Sequence, residues 1–287
     1  MYDEILVPYD GSDGAAEVLH YAASVGLWAD AQLRILYVAD TTRDSVTVVE
    51  GQTVDALVRQ GEDVLDEAAA TLDSLGVDYE TDVVQGNPAP TIVDYADRYG
   101  MDLVVMPTHG REGVSRYLAG SVTEKVVRLA SVPVVSVRMA DDESLQFPYD
   151  RVLVPTDGSD DAERAADHVL ALAAAMDATV HVLSVVDDAG LAPDLREGDA
   201  GAENERAAEA AVDSVVDAAA DHGVDTVRHV AHGDPVETIV EHVESEAVDA
   251  VGMGTTGRTG TDRILLGSVA EQTVRSAPVP VVTVAED

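Results

Sequence analysis

The segment best equipped for chemistry is Met253-Gly-Thr-Thr-Gly-Arg-Thr-Gly-Thr-Asp-Arg-Ile-Leu-Leu-Gly-Ser-Val269. The apolar run Ala250-Val-Gly-Met253 leads into it, and Ser268-Val-Ala-Glu271 opens a helical pattern at its far end. Glycines lack a Cβ and so let backbone N–H groups approach an anion closely. A helix start adds unpaired N–H donors and the positive end of the dipole. The chemistry expected of this loop is the holding of a phosphate. The same residues also read as a glycine-rich turn before an ordinary capped helix, because Ser268 to Glu271 and Ser121-Val-Thr-Glu124 both have capping-box spacing. No G-x-x-x-x-G-K-S/T is present, which excludes a P-loop nucleotidase.

The elements that must position this loop occur twice. Asp3-Glu-Ile-Leu-Val-Pro-Tyr-Asp-Gly-Ser-Asp13 returns as Asp150-Arg-Val-Leu-Val-Pro-Thr-Asp-Gly-Ser-Asp160, an offset of 147. The same offset carries Gly86 to Gly233, Pro88 to Pro235, Gly110 to Gly257, and Gly120-Ser121 to Gly267-Ser268. A single offset from end to end means two copies of one domain. We place the first at residues 1–140, a polar linker at 141–148, and the second at 149–287. Each copy alternates short apolar runs with alanine-rich or amphipathic stretches. In copy one the strands are expected at Ile5–Val7, Leu33–Val38, Asp78–Val84, Leu103–Met106 and Val134–Val137. The third helices are expected over Pro90–Tyr99 and Pro235–Glu246, and Gly76 and Gly223 stop the second helices. Strands this apolar predict a five-stranded parallel sheet with helices on both faces in each copy. In such sheets ligands sit beyond the carboxyl ends of the strands, where the strand order reverses.

Composition narrows the ligand. Of 287 residues, 55 are acidic and 17 basic, for a formal net charge of −38. No basic surface is available for nucleic acid, and anionic membranes are excluded on the same ground. Zero cysteines exclude disulfides, zinc–thiolate sites and thiol catalysis. No apolar run approaches the roughly 18 residues of a membrane span. Met-Tyr-Asp-Glu does not begin a signal peptide, so a cytoplasmic location is expected. Lys125 is the only lysine, and the acids are spread evenly over both copies. This balance resembles that of proteins from salt-loving archaea, where a Debye length of about 3 Å screens the charge.

The chain resembles the universal stress proteins. Their nucleotide-binding members show G-x-x-G, nine residues, then G-S/T; Gly254-Thr-Thr-Gly257, Arg258–Leu266 and Gly267-Ser268 match in full. Val-Pro-x-Asp-Gly-Ser at the end of strand one and the closing Pro-Val-Pro-Val-Val run also fit. The resemblance covers essentially the whole chain, twice. It implies two tandem Rossmann-like domains of the flavodoxin-like, adenine nucleotide alpha hydrolase-like type, with ATP as ligand; a Mg²⁺ ion could ride on the phosphates with few protein ligands. By position, Pro155, Thr156 and Asp157 would line the adenine and ribose side, and Val185 would offer its backbone to adenine. Met253, Gly254, Gly257, Gly267, Ser268 and Val269 would surround ribose and phosphates. Arg258 is either a phosphate contact or a solvated loop arginine. Asp157 either accepts from ribose or adenine or serves as a helix N-terminal acid. Residues 151–287 hold no Phe, Tyr or Trp, so adenine there would lie between aliphatic groups.

Copy one repeats the pattern with Pro8, Tyr9, Asp10, Val38, Met106, Gly110, Arg111, Gly120, Ser121 and Val122, but departs from it at three places. Pro107 stands for Gly254, removing an N–H and adding bulk against a ligand. Glu112 stands for Thr259, and Tyr9 for Thr156. Site one is therefore ranked below site two. A hydrolase needs a positioned base. His109 has Thr256 as its counterpart, so copy two lacks one, and slow hydrolysis at most is expected. His222, His229, His232 and His242 suggest a metal cluster by count, but their spacing crosses a helix end, a strand and another helix. They are taken as surface residues, and no metal site is expected. Three functions follow from these readings. They are a nucleotide-binding stress-response module, an ATP-independent interaction module, and an ATP-using enzyme of the wider superfamily. Ser131-Val-Pro-Val-Val-Ser-Val137 and Pro280-Val-Pro-Val-Val-Thr-Val284 are candidates for pairing the copies as a pseudo-dimer, with a homodimer as a further option.

Overall fold

A computed structural model describes residues 1–41, 52–108, 122–138, 145–187, 199–255 and 266–285. The chain divides into two compact units, Met1–Glu143 and Ser144–Asp287. The expected linker at 141–148 lies in part outside the described residues.

In the first unit the elements run β1 (Glu4–Pro8), α1 (Asp13–Ala29), β2 (Gln32–Asp40), α2 (Gln52–Leu75), β3 (Tyr79–Gly86), α3 (Pro88–Tyr99), β4 (Leu103–Pro107), α4 (Val122–Leu129) and β5 (Val134–Val137). In the second they run β6 (Arg151–Pro155), α5 (Asp160–Met176), β7 (Thr179–Val186), α6 (Asp199–His222), β8 (Thr226–His232), α7 (Pro235–Ser245), β9 (Ala250–Gly254), α8 (Ser268–Ser276) and β10 (Val281–Val284). The sheet orders are β3-β2-β1-β4-β5 and β8-β7-β6-β9-β10, with every pairing parallel. The order reverses between β1 and β4, and again between β6 and β9.

Local sequence explains the boundaries. Ile5-Leu-Val7 and Val152-Leu-Val154 are wholly buried, as befits strands covered on both faces. Each first strand ends at a proline. Ser12 and Ser159 then cap α1 and α5, their hydroxyls accepting from the Ala15 and Ala162 N–H groups at 3.3 and 3.2 Å. Gly76 and Gly223 follow α2 and α6 with φ of +71° and +69°, the left-handed stop that glycine adopts without strain. Helix α3 starts two residues before its expected position, at Pro88. Proline is tolerated in the first turn because no helical partner awaits its missing N–H. Both units fasten β1 or β6 to its neighbour in the same way. Asp102 Oδ2 accepts from the Asp3 and Glu4 N–H groups at 2.8 and 3.0 Å, and Asp249 Oδ2 from those of Asp150 and Arg151, both at 2.8 Å. Among the described residues no helix is long and apolar enough to cross a membrane.

Gly252 reveals how the two units divide the same core volume. A Cβ there would meet Val169 Cγ2 at 2.2 Å. At the repeat offset the counterparts are Val105 and Ala22, both fully buried. The bulk lies on the helix in one unit and on the strand in the other. Gly252→Val is therefore expected to destabilise unit two by about 1–3 kcal/mol through overpacking, and adding Val169→Ala to recover much of the loss. A double-mutant denaturation cycle in molar KCl measures this; additive effects would contradict the contact.

Candidate functional site

The reversal between β6 and β9 brings the ends of two strands side by side. Leu153 pairs with Val251, and the chain continues from one strand to Pro155, Thr156 and Asp157 and from the other to Met253, Gly254 and Thr255. Thr156 is buried and its N–H donates to Leu183 O at 2.8 Å, extending the β6–β7 pairing beyond the last strand residue. Its Oγ1 accepts from the Gly158 N–H at 3.1 Å. Asp157 is exposed, and its Oδ1 accepts from the Ser159 N–H at 3.0 Å. That carboxylate therefore serves the turn before α5, the helix-start role weighed from the sequence. Asp10 does the same in copy one, accepting from the Ser12 N–H at 3.0 Å and the Ser12 hydroxyl at 2.6 Å.

Beyond β9 the ends of the glycine-rich loop are tied together. The Gly267 N–H donates to Thr255 O at 2.7 Å. This bond sets the start of α8, with Gly267, Ser268 and Val269, against the end of β9. Gly257 and Arg258 lie outside the described residues. Thr255 is buried and was not singled out from the sequence; its position between Gly254 and the variable loop was the available signal. Met253 belongs to a buried cluster with Leu183, Val251 and Ile239, against which Val185, Ala231, Leu266 and Val269 pack half-buried. The expected Val185, Met253 and Val269 are thus gathered on one aliphatic surface. Leu266 and Ala231 join them unforeseen, since neither carries a chemical group that a motif search would notice.

The start of α8 departs from expectation. Its N-cap is Gly267, with no side-chain cap, and Ser268 is the first helical residue. The capping-box reading of Ser268 to Glu271 is therefore overturned. The Glu271 N–H reaches back to Gly267 O at 2.9 Å, placing the cap one residue earlier than the serine. The other helices of unit two with defined N-caps are closed by side chains. Ser159 caps α5, and Asp234 Oδ1 caps α7 by accepting from Val236 and Glu237 N–H groups at 2.9 and 3.1 Å. The first-turn N–H groups of α8 lack that service and remain suited to an anion.

Gly254 has a packing reason of its own. A Cβ there would meet the Asp161 backbone carbonyl at 2.9 Å, at the first turn of α5. The bulk of its counterpart Pro107 was expected to face a ligand. The direction of the Cβ shows instead that bulk here presses on the helix start, and copy one places Gly14 opposite, at the position of Asp161. The missing N–H of Pro107 remains a difference between the sites.

In copy one Pro8, Tyr9, Asp10, Val38, Met106 and Val122 hold equivalent places in their elements. Gly110, Arg111, Gly120, Ser121 and Glu112 lie outside the described residues. Tyr9 is buried, its N–H donating to Leu36 O at 2.9 Å. Burial, with Glu67 and Asp10 near, holds its phenol above the ordinary range. The side chain that replaces Thr156 is thus packed inward as a neutral phenol. At the base of this loop the Thr123 hydroxyl donates to Pro107 O at 2.7 Å, a bond that Ala270 cannot make in copy two.

Two tandem α/β units, each with five parallel strands and a strand-order reversal at its centre, define the class of protein. Residues 1–138 and 148–285 each match the universal stress protein family, and the chain belongs to it. It is similar to a universal stress protein of Methanocaldococcus jannaschii, 38% identical over 141 residues, covering 48% of this chain and 83% of the relative. A universal stress protein of Mycolicibacterium smegmatis is 26% identical over 291 residues, covering 98% of this chain and 96% of the relative. Among solved structures, a universal stress protein from Archaeoglobus fulgidus superposes with a TM-score of 0.75 at 23% identity, covering 99% of this chain and 96% of that one.

Gly254→Ala is expected to lower the stability of unit two by about 1–3 kcal/mol, because the helix start must shift. The loss should already appear without added nucleotide. Chemical denaturation under that condition checks this, and an unchanged midpoint would remove the packing role.

Proposed function

We propose that this protein binds ATP in its second unit and that occupancy changes a surface used in the stress response. The observation that carries the reading is the uncapped start of α8, drawn against the end of β9 by the Gly267–Thr255 bond. Its N–H groups suit the phosphates. The aliphatic surface of Val185, Met253, Leu266 and Val269 suits adenine, since residues 151–287 hold no Phe, Tyr or Trp to stack on it. Gly257 and Arg258 complete the phosphate loop, and Pro155, Thr156 and Asp157 border the ribose side. Mg²⁺ rides on the phosphates with water as its main ligand.

The weaker site in copy one follows from the inward Tyr9, the missing N–H of Pro107 and the charge of Glu112. The protein works in the cytoplasm of a salt-adapted cell, as a binder with at most slow hydrolysis.

An anion must enter a protein of net charge −38. Screening helps it do so, so ATP affinity is expected to hold or rise as KCl goes from dilute to molar. Isothermal titration across that range tests this; a steep loss in folded protein would contradict it. Gly257→Val is expected to remove most ATP binding while leaving the fold, because a branched Cβ fills the loop. Purification in molar KCl followed by mass spectrometry of released ligand gives the direct test. No nucleotide on the purified chain and none taken up on titration would refute the proposal.

A further inference from the structure

Three histidines converge in the second unit, away from the strand ends described above. His181 is the third residue of β7, His229 the fourth of β8, and His242 lies on α7. Leu183 pairs with His229 in register, so His181, two residues before Leu183, shares a sheet face with His229. Helix α7 covers that face with the stripe Ile239, His242, Val243 and Glu246, the spacing of a packed helical side. One ligand nitrogen from each ring lies within 4.8 Å of the others. His229 Nε2 stands 3.3 Å from His181 Nδ1, and the rings of His229 and His242 meet with centroids 4.1 Å apart. His181 is buried and the other two half-buried, so an ion can reach them.

The count made from sequence alone held two of the three cluster residues, His229 and His242, together with His222 and His232, which are not part of it. His222 and His232 stand elsewhere, with His222 Nε2 2.9 Å from Asp167. His181 was not among the four, because it sits in a strand that reads as core. The expectation of surface residues fails for His229 and His242.

In copy one an ion-pair network fills the same position. At the repeat offset His181, His229 and His242 become Arg34, Asp82 and Tyr95. These neutralise one another. Arg34 pairs with Glu80 at 2.5 Å, Glu4 at 3.7 Å and Asp82 at 3.8 Å, and the Tyr95 hydroxyl donates to Asp82. In copy two the three groups are alike. One N–H···N bond can join His229 to His181, while His242 Nε2 is buried with no hydrogen-bond partner among the described residues. Arg151 stands at the place of Glu4, its guanidinium donating to Glu246 O at 2.9 Å.

We propose that His181, His229 and His242 bind one divalent ion of the zinc, nickel or copper type. Two nitrogens on a tetrahedral zinc, each about 2.0–2.1 Å from the metal, stand roughly 3.3–3.4 Å apart, which matches the His181–His229 pair. A rotation of His242 completes the set. Three imidazoles favour these ions over Mg²⁺ or Ca²⁺, which take oxygen. Burial holds all three rings below the ordinary histidine range and so keeps them neutral, as ligation requires. Glu246, whose charge acts on all three, offsets part of the positive charge of the ion. The fourth coordination position is left to water.

The test uses the full chain in molar KCl, stripped with chelator and then given Co²⁺ in excess Mg²⁺. The Mg²⁺ and the salt occupy the surface carboxylates. One Co²⁺ per chain is expected, with the visible absorption of a four- or five-coordinate ion, displaced by one equivalent of Zn²⁺. His229→Gln, at an exposed edge strand, should lower affinity at least tenfold. The combined His181→Arg, His229→Asp and His242→Tyr chain, which imports the three copy-one side chains, should lose the band while keeping its circular dichroism and ATP binding. Absence of a visible band in the native chain, or equal Co²⁺ uptake by the folded triple variant, would overturn the proposal and leave the cluster as stacked neutral rings.

Discussion

Burial of the central strands on both faces is the constraint on which the rest depends. β1 and β4, and β6 and β9, are hydrogen-bonded to neighbours and covered by helices, so their side chains are almost wholly apolar. A polar group inside would have to find a partner at a cost of roughly 1–3 kcal/mol if it failed. Chemistry is therefore displaced to the carboxyl ends, where the strand order reverses and backbone groups run out of partners. The tight packing that enforces this is visible at Gly252 against Val169 and at Gly254 against the start of α5.

Duplication then supplies an internal comparison. One scaffold carries two solutions to each local problem. Core volume moves between helix and strand at Gly252/Val169 and Val105/Ala22. At the loop base a threonine hydroxyl, that of Thr123, bonds Pro107 O in one unit, where the other has Ala270. The sheet face under α3 or α7 holds an ion-pair network in copy one and three imidazoles in copy two. These differences change packing and chemistry without changing topology, because each exchanges side chains and leaves the strand pairings alone.

The net charge of −38 bears on both candidate sites in opposite ways. It opposes an anion at the α8 start, where backbone N–H groups and salt screening must compensate. It favours a cation at the histidines, where like rings would otherwise face one another with a single hydrogen bond available between them. Surface carboxylates compete weakly for such a cation, since hard oxygen donors hold Mg²⁺ and Ca²⁺ rather than imidazole-favouring ions.

The order of elements, the repeat and the residues at the strand ends were legible in the amino-acid order. Apolar runs, proline stops, Ser12 and Ser159 caps, and Gly76 and Gly223 stops are local effects with a period or a fixed spacing. Three things were not. The cap of α8 fell on Gly267 because the turn after Thr255 closes through the backbone, which no side-chain pattern announces. The bulk at position 254 faced a helix because only the packed structure brings the Asp161 carbonyl there. The three histidines met because a parallel register and a crossover helix bring residues 48 and 61 positions beyond His181 onto its face. Local spacing decides which elements form; which of their side chains share a few ångströms depends on contacts between residues far apart in the chain, and only the tertiary fold creates those.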